Sequence, residues 1–580
     1  MSQRFGDAPV SSPSLWLPVL IFLGTIAAFL PCLSNGWVWD DSVLLLQNPH
    51  YRGLDGNRLR WMFTSALAGP YEPVSWLSYA CDYLLWGMSP YGYHLTNLLW
   101  HAANAVLFFW LSALLLELCV PIKEGNGALA GAALCSAMLF AVHPLRVESV
   151  AWIAERRDVL SGFFYLSAVI GYLRAQTGPP ESRNRWLAAS WGSFALSLGA
   201  KVTGISLPLV FLVLDWYPLM RWRGPWTATR RLLLEKVPFL ALSLAFGVVA
   251  ILAQSHARAV WTWQQHGLSQ RLAQAGFGIT FYIGKSLIPM GLSPLYQMPA
   301  ELRPLTLPFL GSAALVFLMS VLVYRLRRSC PAALAIWLSY VLTLFPVLGL
   351  LQSGPQLVAD RYSYLSCLSL VLLPAAGLRW IWKEGSRTIP WVAALLSMGV
   401  VGALGAATWR QTGFWHDPIR LWSRAVAIDP GSDYGHLSLG EALAAAGRLP
   451  EAAREFGAAL SLNSGCVAAQ DRLVRIVSSG KGWEEAPRLQ WLISTNPVCR
   501  MARNDWVTAR AALGDSAAAV AYYQDLLVLE PDNAAAHNNL GRALVALGRS
   551  EEASRHFRQS LQLDPDNRQA QENLLRLHGL

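Results

Sequence analysis

Charge is the scarcest property of this 580-residue chain. Asp, Glu, Lys and Arg make up 14% of it against 54% hydrophobic residues, where a soluble domain carries about 25% charged residues. That shortage excludes a chain that is soluble throughout. Cysteine is sparse as well, eight in all and scattered, with no C-x-x-C and no zinc spacing, which excludes a zinc module. Cys466 and Cys499 stand about one repeat apart and read as two small core residues, an oxidised pair being the alternative. No glycine-rich phosphate loop follows a strand pattern, so no soluble-nucleotide site is legible. The first apolar run lacks a small-residue cleavage site after it and, with Arg4 ahead of it, reads as a retained anchor. The net charge of +10 sits in short connections such as Arg221-Trp222-Arg223, Arg230-Arg231 and Arg325–Arg328. Cytoplasmic loops look like this under the positive-inside bias. Without a basic, aromatic-interleaved module beside them, nucleic acid is not an expected partner.

What the chain has in abundance is long apolar runs. The first, Leu15–Leu33, is long enough to span a bilayer as a helix. Others recur near Tyr93–Cys119, Ala128–Val142, Val159–Leu173, Trp186–Leu198, Ile205–Tyr217, Val237–Ala253, Leu305–Tyr324, Ala332–Leu350, Tyr362–Trp382 and Pro390–Trp409, giving about eleven candidate spans. A shorter run at Phe277–Ile288 is left open, as a span or as a re-entrant segment sheltered by protein. Beyond His416 the composition turns Ala-rich and charged. The reading is therefore all-α: a polytopic transmembrane domain over 1–414, with an outer loop at 36–92, and a soluble domain over 415–580.

Placing Met1 in the cytoplasm puts Arg174, Arg183, Arg185, Arg221–Arg231, Arg325–Arg328, Lys383 and Arg387 on one side, provided that Phe277–Ile288 does not cross. Asp40, Asp41, His143–Asp158, Ala200–Gly204, Ser353–Arg361 and the soluble domain then share the outer face. The 36–92 loop contains Arg60-Trp61-Met62-Phe63 and Val74–Tyr79, aromatic stretches suited to the interfacial plane. His143–Asp158 is expected as a membrane-surface helix starting at Pro144, with Val147, Val150, Ala151 and Ala154 on one face and Glu148, Trp152 and Glu155 presented outward.

In the soluble part Leu-Glu-Pro-Asp at Leu529–Asp532 returns as Leu-Asp-Pro-Asp at Leu563–Asp566, and both follow Asn496-Pro497 in steps of 34 residues. Ile428-Asp429-Pro430 opens the series, and Gly514 and Gly548 mark turns with the same step. The pattern resembles the tetratricopeptide repeat, an α-solenoid of helix pairs, and four to five pairs fit before Leu580, with Cys466–Trp491 departing most. Such repeats imply a peptide or protein partner, or a plain scaffold.

Chemistry centres on Asp40 and Asp41, where the first span leaves the bilayer. Solvated or helix-capping aspartates are the plain alternative. Glu72, Glu148, Glu155, Asp158 and Asp360 add acids on the same face; Arg156, Arg157 and Arg361 add cations suited to bidentate phosphate binding. Lys201 is a further phosphate partner or else a lysine snorkelling to the interface. Carboxylates beside a cationic clamp fit group transfer from a lipid phosphate, with an Asp as base and the cations, or a divalent metal held by Asp40 and Asp41, stabilising the leaving group.

The order Trp39-Asp40-Asp41, His143-Pro144…Glu148-Ser149-Val150-Ala151…Arg156…Asp158, Lys201…Gly204, Asp360-Arg361-Tyr362…Tyr364-Leu365 and then the repeats resembles the TMTC-type protein O-mannosyltransferases and their bacterial relatives, in the GT-C superfamily. The resemblance implies an inverting transferase using a polyprenyl-phosphate sugar, its acceptor a hydroxyl such as a protein Ser or Thr on the lumenal or periplasmic face. It implies Asp40 or Asp41 as base or metal-contacting acid and Arg361 as a donor-phosphate contact; Arg156 and Arg157 match more loosely. The composition suits a bacterial inner membrane, with the repeats periplasmic. The sugar, the acceptor, the metal and the oligomeric state stay open. The competing reading is a membrane-anchored repeat scaffold without catalysis, and a lipid-sugar transporter is a weaker third.

Overall fold

The apolar runs fold as helices because backbone surrounded by hydrocarbon must satisfy its own N–H and C=O groups. The computed structural model describes residues 16–119, 126–256, 261–352, 354–383, 388–478 and 516–578. Arg4, Ser353, Arg387, Asn496-Pro497, Cys499 and Gly514 lie outside them. The chain divides into two units, Met1–Leu421 and Trp422–Leu580.

Among the described residues of the first unit, five helices are long and apolar enough to cross a membrane: Trp16–Ser34, Pro90–Cys119, Trp226–His256, Leu307–Arg328 and Ile389–Trp415. Two bent pairs, Gly127–Ala141 with Pro144–Ala151 and Asp360–Ser366 with Leu368–Trp382, raise the number to seven. This is fewer than the eleven expected from apolar runs. Val202–Trp216 and Pro331–Val347 are apolar but short. The Arg156–Thr177 helix has the length, but most of it is buried against neighbouring helices, so its composition answers to protein packing and tolerates polar residues. The Phe277–Ile288 run belongs to a 20-residue helix, Leu268–Leu287, which buries Arg271 and Gln274 and is not among the five. Leu244 and Phe317 are 71% and 67% exposed, as side chains on a lipid-facing surface are.

The 36–92 loop is built, not trailing. Helices Gly56–Thr64 and Pro73–Trp86 carry its two aromatic stretches, and Met62, Trp76 and Tyr79 are buried. Among the described residues the sole sheet is a two-stranded antiparallel ladder, Tyr296–Gln297 against Gln356–Val358, with Tyr296 opposite Val358.

In the second unit, helices Asp433–Ala445 and Leu449–Leu462 form one pair, and Ala534–Ala546 and Ser550–Leu563 another. The small residues of the repeat have a steric reason. A Cβ at Gly440 would stand 2.6 Å from the Phe456 ring, and one at Gly541 would stand 2.6 Å from the Phe557 ring. Gly447 and Gly548 end their first helices at φ +76° and +75°, a backbone that only glycine adopts cheaply. Ser432, Asn533 and Asn567 cap the helices that follow them by accepting from Gly435, Ala536 and Ala570 N–H. Cys466 is a free thiol.

Candidate active site

The site begins with a break. The His143–Asp158 stretch is not the surface helix expected from its periodicity. It runs as a 3-10 turn at Pro144–Arg146, one α turn at Val147–Ala151, an extended Trp152 and a second 3-10 turn at Ile153–Glu155. Glu148, Trp152 and Glu155 are buried rather than presented outward. A broken helix exposes backbone groups that must be paired when buried, and side chains from distant elements pair them. Asn97 donates its amide to the carbonyls of Val150 and Trp152, both at 3.2 Å. Tyr79 donates to Ile153 O at 2.9 Å. Asp41 Oδ1 accepts the Ala154 N–H at 2.8 Å.

Asn97 belongs to a polar stripe on the Pro90–Cys119 helix: His94, Asn97, His101 and Asn104, all buried and spaced to share one face. Asn104 donates to Val159 O at 2.7 Å and to the Tyr364 hydroxyl at 2.8 Å. His101 Nδ1 pairs with the same hydroxyl at 2.9 Å. The stripe ties the broken segment to the Asp360–Ser366 turn and so brings residues about 200 positions apart in the chain to one place.

The two aspartates separate in role. Asp41 is fully buried, and its other oxygen accepts from Val38 N–H at 2.9 Å. Burial pushes its carboxyl up to about 8, against the pull of those two backbone donors. Asp40 is exposed, yet protein closes around it. Burial raises its carboxyl above the usual range, with Arg157 and Arg361 acting in the opposite sense. Because both Asp41 oxygens take backbone N–H groups, the pair does not offer two open carboxylates to a metal. Among the described residues, no group of three or more His, Cys, Asp or Glu is arranged to hold one.

Glu155 organises the cations. Its carboxylate takes Arg157 through Oε1 at 2.5 Å and Lys201 through Oε2 at 2.7 Å, with Arg361 Nε at 3.4 Å. Burial alone would raise its pKa, but Arg157, Lys201 and Arg361 hold it well below the carboxylate range. Lys201 also reaches Asp158 Oδ1 at 2.8 Å, and Arg157 approaches Glu72 at 3.5 Å. Arg361 is paired with Glu148, whose Oε2 accepts the Arg361 N–H at 2.8 Å. Asp158 accepts from Ser149 at 3.0 Å, and Asp360 from the Tyr296 hydroxyl at 2.9 Å.

Arg157, Lys201 and Arg361 line one cavity of about 340 Å³ together with Glu72. Arg156 does not line it. Its guanidinium is buried on an ion pair with Asp82, donates to Asn97 Oδ1 at 2.7 Å and to Tyr93 O at 2.8 Å, and lies over the Tyr79 ring. One position along a helix turns a side chain by about 100°, which is why adjacent arginines part company. The cavity's amide side chains, Gln254, Gln274, Gln352 and Gln356, were not expected; scattered glutamines carry no spacing signal. A larger apolar cavity of about 610 Å³ lies along the Pro331–Leu344 helix and is lined by Tyr165, Val210, Ile336, Leu368 and Trp380.

Known proteins similar to this chain fall into two groups, by sequence and by structure. The chain is 23% identical over 470 residues to a protein O-mannosyl-transferase of Caenorhabditis elegans, covering 77% of this chain and 62% of that one. It is 24% identical over 485 residues to the protein O-mannosyl-transferase Tmtc3 of Drosophila melanogaster, covering 72% and 51%. The chain resembles the TMTC-type protein O-mannosyltransferases. It spans between about half and three-fifths of the length of these two curated relatives. The tetratricopeptide repeat profile matches residues 410–465 and 504–577. Among solved structures, ArnT from Cupriavidus metallidurans bound to undecaprenyl phosphate aligns over 81% of this chain and 80% of its own, at 14% identity and a TM-score of 0.35.

Proposed function

We propose that the chain is a membrane glycosyltransferase that moves a sugar from a polyprenyl-phosphate donor to a hydroxyl acceptor. The observation that carries this reading is Asp40: an open carboxylate whose electrostatic neighbours, Arg157 and Arg361, line the polar cavity. The Asp40 carboxylate takes the proton of the acceptor hydroxyl as its oxygen attacks the anomeric carbon. The bond from that carbon to the phosphate oxygen breaks, and polyprenyl phosphate leaves with the electron pair, inverting the centre. A base works best when its pKa approaches the working pH, and the upward shift of Asp40 moves it in that direction.

Arg361, Arg157 and Lys201 hold the donor phosphate and stabilise charge on the leaving oxygen. Arg156 has no such role; it braces the Pro90–Cys119 helix against the broken segment. A lipid-borne donor is supported by the elements that the two cavities share. Lys201–Thr203 line the polar cavity and Val210 and Leu214, further along, line the apolar one; Tyr362 and Leu368 divide in the same way. A charged head site and an apolar groove built on the same elements suit a phosphate on an isoprenoid chain.

The acceptor is a protein Ser or Thr recruited by the repeats, and the reaction face is the outer, periplasmic side of a bacterial inner membrane. Asp40 supplies the proton acceptor, and Arg157, Lys201 and Arg361 supply positive charge beside it. The test is transfer from a radiolabelled polyprenyl-phosphate sugar by purified full-length Asp40→Asn protein. Transfer is expected to fall at least about 10²-fold, the low end of what a general base contributes, with the thermal midpoint unchanged. Transfer at the wild-type rate would overturn the assignment.

A further inference from the structure

The polar cavity holds more than its cations. Three of its glutamines each lie where a glycine leaves room. A Cβ on Gly69 would stand 2.9 Å from Gln254 Oε1, one on Gly349 would stand 2.3 Å from the Gln274 amide, and one on Gly354 would stand 2.6 Å from Gln356 Oε1. All three glycines have positive φ, +110°, +79° and +80°. The backbone is bent into a form that glycine tolerates, and in each case the vacated space is filled by an amide.

Two of these amides are committed to the protein. Gln274 donates to Gln352 Oε1 and to Leu357 O, both at 2.9 Å, and pairs with His266 at 2.9 Å. Gln356 donates to the Tyr362 hydroxyl at 2.8 Å. Gln254 is different. It is half-buried on the cavity wall and makes no hydrogen bond to another described residue. Thr203, also on the wall beside Lys201, likewise makes none through its hydroxyl.

A neutral amide and a hydroxyl, on the wall of a cavity that also carries Arg157, Lys201 and Arg361, are groups that read neutral hydroxyls in either hydrogen-bonding sense. The cavity volume of about 340 Å³ lies within the ~300–1,000 Å³ of small-molecule sites.

We propose that Gln254 and Thr203 bind the hydroxyls of the sugar carried by the donor, while Arg157, Lys201 and Arg361 bind its phosphate. The assignment rests on the reading of the site as a polyprenyl-phosphate-sugar transferase. It divides one cavity into a headgroup half and a phosphate half, and makes Gln254, held over Gly69 of the 36–92 loop, a specificity residue. The same loop segment packs Tyr71 against Phe246, ring centroids 6.4 Å apart, so the Trp226–His256 helix sets where Gln254 meets the sugar.

The test compares two probes on the full-length protein in nanodiscs: undecaprenyl phosphate, and undecaprenyl phosphate carrying a neutral hexose. Gln254→Ala and Thr203→Val are each expected to weaken binding of the sugar-bearing lipid about 3- to 10-fold, the worth of one uncharged hydrogen bond, and to leave undecaprenyl phosphate binding unchanged. The unchanged binding is also the control for folding. Equal weakening of both lipids would overturn the proposal by showing that Gln254 and Thr203 serve the carrier site or the fold. Unchanged binding of both would overturn it as well. Wild-type protein that binds neither lipid would instead sink the transferase reading beneath it.

Discussion

Trp39 and Trp152 lie face to face, their ring centroids 4.5 Å apart and their planes 2° from parallel. Trp152 is stacked in turn against Trp415 at 5.8 Å, and the Arg361 guanidinium lies over it at 5.6 Å. Trp39 holds φ +53°, a left-handed backbone that costs a non-glycine residue about 1–3 kcal/mol. The stack holds that conformation in place and sets the direction in which Asp40 leaves the chain.

Trp39→Ala is expected to lower the thermal midpoint and to cut turnover, because the turn loses its anchor and Asp40 its position. Trp39→Phe keeps a ring on Trp152 and is expected to retain most of the rate. Calorimetry and single-turnover transfer on both variants check this. Equal rates for the two would detach the stack from the placement of Asp40.

Asp41 offers a pH test. Its folded-state pKa is raised to about 8 by burial, above the ~3.9 of an unfolded chain. The stability it contributes is therefore complete below about pH 4 and is lost as pH rises through about 8. Asp41→Asn, which has no such titration, is expected to lower stability at pH 5 by about 1–3 kcal/mol, since one backbone donor loses its acceptor. The deficit is expected to shrink toward pH 8. Chemical unfolding of both proteins across that range gives the two curves, and parallel curves would count against it.

Glu155 has the opposite sign. Its pKa lies well below the usual carboxylate range because Arg157, Lys201 and Arg361 outweigh its burial, so its stabilisation is present above about pH 4.3 and lost as pH falls. Glu155→Gln takes from Arg157, Lys201 and Arg361 the buried carboxylate that they share and is expected to cost about 3–5 kcal/mol at pH 7. The cost is expected to narrow toward pH 3. Thermal unfolding at pH 7 and pH 3 distinguishes this from a pH-independent packing defect.

Neighbouring arginines are expected to fail differently. Arg156→Gln strands Asp82, which is 2% exposed, and is expected to lower stability by about 3–5 kcal/mol without a specific change in donor affinity among molecules that remain folded. Arg157→Gln is expected to raise KM for the lipid-linked sugar more than it lowers the thermal midpoint. Kinetics paired with melting curves on each variant read the split.

In the repeats, Gly541→Ala places a methyl 2.6 Å from the Phe557 ring, an overpacking expected to cost about 1–3 kcal/mol. Gly440→Ala is expected to do the same against Phe456. Protection of the repeat helices in hydrogen exchange on the full chain is expected to fall in the altered pair first.

Periodicity and composition were enough to mark the membrane unit, the 34-residue repeat and the place of Asp40 and Asp41 at the exit of the first span. These are local properties: which residues are apolar, and at what interval, is decided within a few turns of chain. The same local signal misled at His143–Asp158. An amphipathic spacing there promised an exposed helix, while Asn97, Tyr79 and Asp41 supply partners that make a buried break stable. Nor does that signal separate runs that face lipid from runs packed against other helices, as most of Arg156–Thr177 is.

The sequence by itself determined the helices, the repeats and a pool of acids and cations. Only the tertiary structure decided that Asp41 is bound by backbone donors while Asp40 stays open, that Arg157 faces the cavity and Arg156 does not, and that Gln254 lies over Gly69. The reason is physical. Whether a charged or amide side chain is free or already bound depends on groups that folding brings from more than 100 residues away, as Ala154 is brought to Asp41, and no spacing in the chain encodes that encounter.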